Sequence, residues 1–285
     1  MSSPAALVAD RTSLRENPAG AGPGSRPATF LDCVRAEWIK LRTMRSSLFV
    51  VVGTLAACAG LAALNGSSAA SDYADLTAGD RAAFDPLATS LRGYLLAQIA
   101  LGLLGGLVIT AEYGARTIVG TLTSVPHRGR VLAAKAVVLV GVTVPVGLLV
   151  SLAGFLVGQA TLAAGDAPHL ALSDGLALRG VAGGSLYLTL AALFGLALGT
   201  LVRSTTATVT TLFGVLLIVQ AFSPALPGAV GDWVTTYWPP LAGGQVITGY
   251  RDPDLLGPWT GLAVMAGSVA ALLAAAFAVF RRRDA

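Results

Sequence analysis

Hydrophobic positions along this chain gather into six runs free of formal charge: residues 46–64, 93–111, 136–162, 180–202, 205–226 and 259–280. Each holds at least 19 residues. A helix of that length reaches about 28 Å, close to the hydrocarbon thickness of a bilayer. The pattern predicts six membrane-spanning helices. The third run is longer than a crossing needs and contains Pro145, so a tilt or kink is expected there.

Before the first run, Phe30, Val34, Trp38, Leu41, Met44 and Leu48 recur at spacings of three and four, the apolar stripe of one helix face. Arg35, Lys40, Arg42 and Arg45 fill much of the remainder. This is the pattern of an amphipathic helix lying in the headgroup layer, with Trp38 at the interface and the cations on lipid phosphates. The plainer alternative is a positively charged flank with no helix. Residues 1–29 carry scattered charges among Ala, Pro, Gly and Ser and read as a disordered tail. They lack the apolar core of a signal peptide, so the first span is expected to act as an uncleaved anchor. The remaining residues, 30–285, form one six-span unit.

Two further segments stand out. Between the second and third runs lies Glu112-Tyr113-Gly114-Ala115-Arg116-Thr117-Ile118, continuing through Pro126, His127, Arg128 and Arg130 to Lys135. Pro126 marks the boundary between a short helix and the next span. Glu112, at the membrane edge, either accepts hydrogen bonds from nearby arginines or amides or snorkels to water. Before the last run, Trp233, Tyr237, Trp238 and Pro239-Pro240 precede an apolar stretch, residues 241–250, too short to cross. It reads as a re-entrant or interfacial segment; a surface loop bearing an aromatic belt is the alternative.

Composition sharpens the picture. Only 12% of residues are charged and 54% are hydrophobic, which excludes an ordinary soluble domain. Of the 19 Lys and Arg residues, 15 fall on one side of a six-span topology and four, Arg81, Arg92, Arg179 and Arg251, on the other. The positive-inside rule then predicts both termini in the cytoplasm. The net charge of +4 comes without a basic stripe interleaved with aromatics, so nucleic acid is not an expected partner. Cys33 and Cys58, one in a polar flank and one in an apolar run, are not expected to form a disulfide.

Ion-coupled carriers place ionisable groups at the membrane midplane, and uncharged runs argue against that class. Gln98, Gln159 and Gln220 are the large polar side chains within the runs, expected to serve as hydrogen-bonding glue between helices rather than as ligand contacts. GxxxG spacings at Gly102/Gly106, Gly154/Gly158, Gly180/Gly184 and Gly195/Gly199 number about what 34 glycines give by chance, so they carry little weight. There is no GxxxxGK[ST] phosphate loop. His127 and His169 fall on opposite sides of the expected membrane, so neither a metal site nor a catalytic constellation is visible.

Three segments in order resemble bacterial, and especially actinobacterial, type-2 ABC transporter permeases. Residues 35–47 (RAEWIKLRTMRSS) are similar to that family's segment before its first span. Glu112-Tyr113, Thr117-Ile118, Thr121-Leu122 and then residues 125–135 (VPHRGRVLAAK) are similar to its loop after the second span. Trp238-Pro239-Pro240-Leu241-Ala242-Gly243-Gly244-Gln245 looks like its motif before the last span. Arg116 stands where the family often has a small residue, and His127 where it often has Arg. The resemblance implies an all-α polytopic membrane protein serving as permease subunit of an exporter without its own engine. Two such chains, identical or not, would pair with two ATP-binding subunits that carry ATP and Mg²⁺, and this chain would bind no cofactor. Glu112, Tyr113, Arg116, Thr117 and Ile118 would belong to the coupling helix, Trp38, Lys40, Arg42 and Arg45 to the interfacial helix, and Trp238, Pro239, Pro240, Gly243 and Gln245 to an outer gate. Spans without charge point to a lipophilic or amphiphilic substrate. An ATP-independent polytopic enzyme or sensor is the alternative, and it would require acidic or His residues converging at one membrane face.

Overall fold

The computed structural model describes residues 29–43, 45–114 and 128–282. Among the described residues the chain is all α, with no strand. It begins with α1 (Phe30–Thr43) and α2 (Arg45–Tyr73), followed by the short α3 (Ala78–Ala82) and α4 (Pro86–Leu91). Then come α5 (Tyr94–Gly114), α6 (Arg128–Ala164), α7 (Gly175–Val202) and α8 (Thr205–Ala225). The chain closes with α9 (Gly228–Tyr237), α10 (Pro239–Gly244) and α11 (Pro258–Arg282). Helices α2, α5, α6, α7, α8 and α11 are long and apolar enough to cross a membrane. This is the architecture of a multi-pass membrane protein. We refer to the side carrying α1 as the near side.

Two of the six long helices form the centre. The apolar windows of α5 and α7 are 61% and 67% buried, against 17–33% for the other four. Their contact is backbone against backbone. A Cβ on Gly105 would stand 1.9 Å from the Ala192 carbonyl oxygen, and one on Gly195 would stand 1.9 Å from that of Gly102. The expectation that GxxxG spacings carry little weight is thus overturned at Gly102/Gly106 and Gly195/Gly199, which face one another across this crossing. Gly158 meets Ser90 and Gly184 meets Tyr94, so the other two pairs also mark close approaches.

The first span extends well past residue 64, to Tyr73. Ala-rich sequence favours continuation, and Asn65, Ser67 and Ser71 return their side-chain donors to carbonyls three or four residues back. Helix α6 starts before the apolar run and passes unbroken through Pro145. The hydroxyl of Ser185 donates to the adjacent Val144 carbonyl at 2.7 Å. Helix α4 was not foreseen, although Asp85-Pro86 is a strong start signal: the Asp85 carboxylate caps the Ala88 amide and Pro86 occupies the first turn. Both cysteines are buried free thiols.

Helix α8 contains a π-helical stretch at Gly214–Ile218. Two of its carbonyls are taken by side chains from other elements: the Trp238 indole donates to Val215 at 3.0 Å and the Gln98 amide donates to Leu216 at 3.1 Å. Gln98 also accepts from the Tyr187 hydroxyl and donates to the Gln220 side chain, binding α5, α7 and α8 as polar glue. Gln159 acts likewise between α6 and α4, donating to Ser90 and to the Pro86 carbonyl.

Candidate functional site: a buried charge quartet on the near side

Helix α1 docks on α6 through Cys33, Glu37 and Leu41, which follow one another at spacings of four and so share a face. This face is rotated from the expected stripe: Phe30 and Trp38 are exposed, and a glutamate sits in the middle of the buried side. The reason is its partner. The Lys135 side chain, 0% exposed, donates to Glu37 Oε2 at 2.8 Å, to Glu112 Oε1 at 2.7 Å and to the Val108 carbonyl at 3.2 Å. Its three ammonium protons are thereby matched by three acceptors. Lys40, 44% exposed, closes the group from outside, donating to Glu37 Oε1 and Glu112 Oε1, each at 2.9 Å. Two carboxylates and two ammoniums cancel in formal charge.

The quartet holds three elements together: α1 through Glu37 and Lys40, the near end of α5 through Glu112, and the first turns of α6 through Lys135. Burial of the Lys40 amine works against its charged form, but hydrogen bonds and charges from Glu37 and Glu112 outweigh this and raise its pKa above the ordinary lysine value. Glu112 Oε2 is buried and has no hydrogen-bond partner among the described residues. Beside it, Tyr113 packs against the core, and the Arg203 guanidinium lies 5.2 Å from its ring centroid. Arg203 reaches this position from a left-handed turn ending α7.

Glu112, Tyr113 and Lys40 are therefore brought together on the near side. Trp38 and Arg42 lie on the exposed face of α1, away from the quartet. Arg116, Thr117, Ile118 and His127 lie outside the described residues, as does the side chain of Arg45. The apolar runs themselves hold no charge, but α5 and α6 extend beyond them and carry Glu112 and Lys135 within the long helices, Lys135 fully buried and Glu112 with its side chain 12% exposed. Among the described residues the cations on Glu112 are Lys40 and Lys135. Glu37 and Lys135 were missed as partners; the Glu37/Lys40 spacing of three was the available signal.

The expected gate residues lie on the far side and gather around α10. Pro239 and Pro240 occupy the first turn of α10, where a missing amide is harmless. Gly243 fits against Met265 and Tyr187, where a Cβ would meet the Met265 sulfur at 2.6 Å. Gly261 likewise admits the Ala242 carbonyl, so α10 packs backbone-close on α11. The turn that follows, Gln245–Ile247, leads to Gly249 and Tyr250, whose amides donate to the Asp85 carboxylate at 2.7 and 3.0 Å. Arg179 of α7 donates to the Thr248 carbonyl next to them. No group of three or more metal-ligating side chains is found among the described residues. No protein-family model and no curated protein matches the chain.

Proposed function

We propose that this chain is the membrane-spanning permease subunit of an ATP-driven exporter in a bacterial plasma membrane, with both termini cytoplasmic. It works with a second permease chain and two copies of a separate ATP-binding subunit. The observation that carries this reading is the quartet. It clamps the interfacial helix to the two helix ends that flank residues 115–127, the segment resembling the family's coupling loop. A push on that segment reaches α5 and α6 at points braced by buried charge, and α5 hands it to α7 through their backbone contact. On the far side α10, wedged against α7 and α11, is the gate. Its contact with Met265, seven residues into α11, puts it about 10 Å below the start of that helix, which supports a re-entrant segment. The apolar spans suit a lipophilic or amphiphilic substrate.

The test is purification of the tagged chain from its native membrane in mild detergent. An ATP-binding cassette ATPase should co-purify, with ATP hydrolysis in the complex, and Glu112→Ala or charge reversal at Arg116 should weaken the association while the chain stays monodisperse. Purification without any such ATPase across several mild detergents would refute the reading.

A further inference from the structure

On the far side a cavity of about 260 Å³ opens between α5, α7, α8 and the α10 turn. Leu91, Leu95, Leu241 and Ile247 give it an apolar wall. Leu95 is 43% exposed, so the opening faces outward from the bundle, onto the surface that lipid covers. Arg92 lines the same cavity, is exposed, and its side chain makes no ion pair or hydrogen bond among the described residues. The carboxylates bordering its other flank have partners of their own: Asp85 accepts from three backbone amides, Asp80 from Thr77, and Asp72 from Ser68. Gln220, also on the lining, accepts from Gln98 through its oxygen, and its amide donors have no acceptor among the described residues.

Depth fits a particular kind of occupant. Arg92 and Glu112 are twenty residues apart along α5 and its lead-in, a rise of about 30 Å, the hydrocarbon thickness. With Glu112 at the near membrane boundary, Arg92 stands at headgroup level on the far side, and the cavity lies just beneath it. We propose that this cavity is a binding site for an anionic amphiphile. Its headgroup would pair with Arg92 and its alkyl chain would lie along the leucine-lined wall. The volume falls below the usual range for drug-sized ligands and suits a single chain rather than a fused-ring body. The site does not depend on what energises the protein, so it stands or falls apart from the permease reading.

The headgroup could belong to a lipid of the surrounding leaflet or to a free single-chain amphiphile. Both are distinguished by measuring radiolabelled dodecyl phosphate binding to the full chain in phosphatidylcholine nanodiscs, corrected against empty discs. Saturable binding is expected, displaced by unlabelled dodecyl phosphate and far less by dodecyl maltoside. Arg92→Gln, at an exposed residue without a partner, should weaken it about tenfold through loss of one charge-assisted bond. Gly244→Leu should abolish it: Gly244 lines the cavity and a Cβ there meets nothing within 4 Å, so the side chain fills the space without disturbing the fold. Competition by phosphatidylglycerol in the disc assigns the site to a membrane lipid, and absence of competition assigns it to the free amphiphile. Unchanged binding in either variant, or equal displacement by the maltoside, would overturn the proposal.

Discussion

Replacing Lys135 by Met tests the quartet most directly. The change keeps the length and apolar stem of the side chain and removes the one ammonium with no solvent exposure. Glu37 and Glu112 then face each other with only Lys40 between them, at the exposed edge. Removing one partner of a buried pair costs about 3–5 kcal/mol, because the remaining charge stays desolvated without compensation. At about 2–4 °C per kcal/mol for a chain of this size, the unfolding midpoint should fall by about 6–20 °C. Lys40→Met removes a cation whose side chain is 44% exposed. That pair is worth about 0.2–1 kcal/mol after solvent screening, so its midpoint should fall by about 4 °C at most. Adding Glu112→Gln to Lys135→Met removes the stranded charge and should recover part of the loss, giving a large coupling in the double-mutant cycle. The assay is size-exclusion chromatography of detergent-solubilised protein after graded heating. Equal losses for the Lys135 and Lys40 variants, or additive effects in the cycle, would show that burial of the quartet does not set its strength.

Three further outcomes follow from the geometry. Gly195→Ala should lower the midpoint by more than about 3 kcal/mol equivalent, since its Cβ would overlap the Gly102 carbonyl, whereas Gly141→Ala, with nothing within 4 Å, should be neutral or gain up to about 1 kcal/mol in the same heating assay. Asp85→Ala removes the α4 cap and the acceptor for two distant amides, so hydrogen exchange at Gly249 and Tyr250 should accelerate together with that at Ala88. Because the folded Lys40 pKa lies above the unfolded value of 10.5, its contribution is fully present below that pH and is lost as pH rises through the folded value. Anisotropy of a variant keeping only Trp38 as its tryptophan should therefore be flat from neutral pH to about 10.5 and fall only in stronger base.

The six long helices were legible because burial in lipid demands unbroken apolar length, and that demand is written residue by residue. Their ends were less so. Asn65 to Tyr73 look like loop by polarity, yet their serines return hydrogen bonds to the helix. The helix α1 was foreseen, but not which face it buries, since Glu37 reads as a surface residue until Lys135, 98 positions away, is placed beside it. Likewise the glycine pairs could not be ranked by spacing alone. What distinguishes them is which carbonyl each one faces, a property of the tertiary crossing. The tie from Asp85 to the Gly249 and Tyr250 amides spans 164 and 165 residues, and no local pattern announces it.

The crossing of α5 and α7 also restricts how the protein can move. Packed helices commonly adjust by shear, with small slides absorbed by side chains changing rotamer. Here the touching atoms are backbone, and glycines sit opposite carbonyls at Gly105/Ala192 and Gly195/Gly102. An axial slip of one turn, about 5.4 Å, would drive Leu101 or Ile109, which share the face of Gly105 at a spacing of four, into a notch shaped for hydrogen. The two helices are locked like meshed racks and must travel as one strut. Any opening of the bundle is then left to the loosely buried helices around them, which swing or tilt about a shaft that keeps its length.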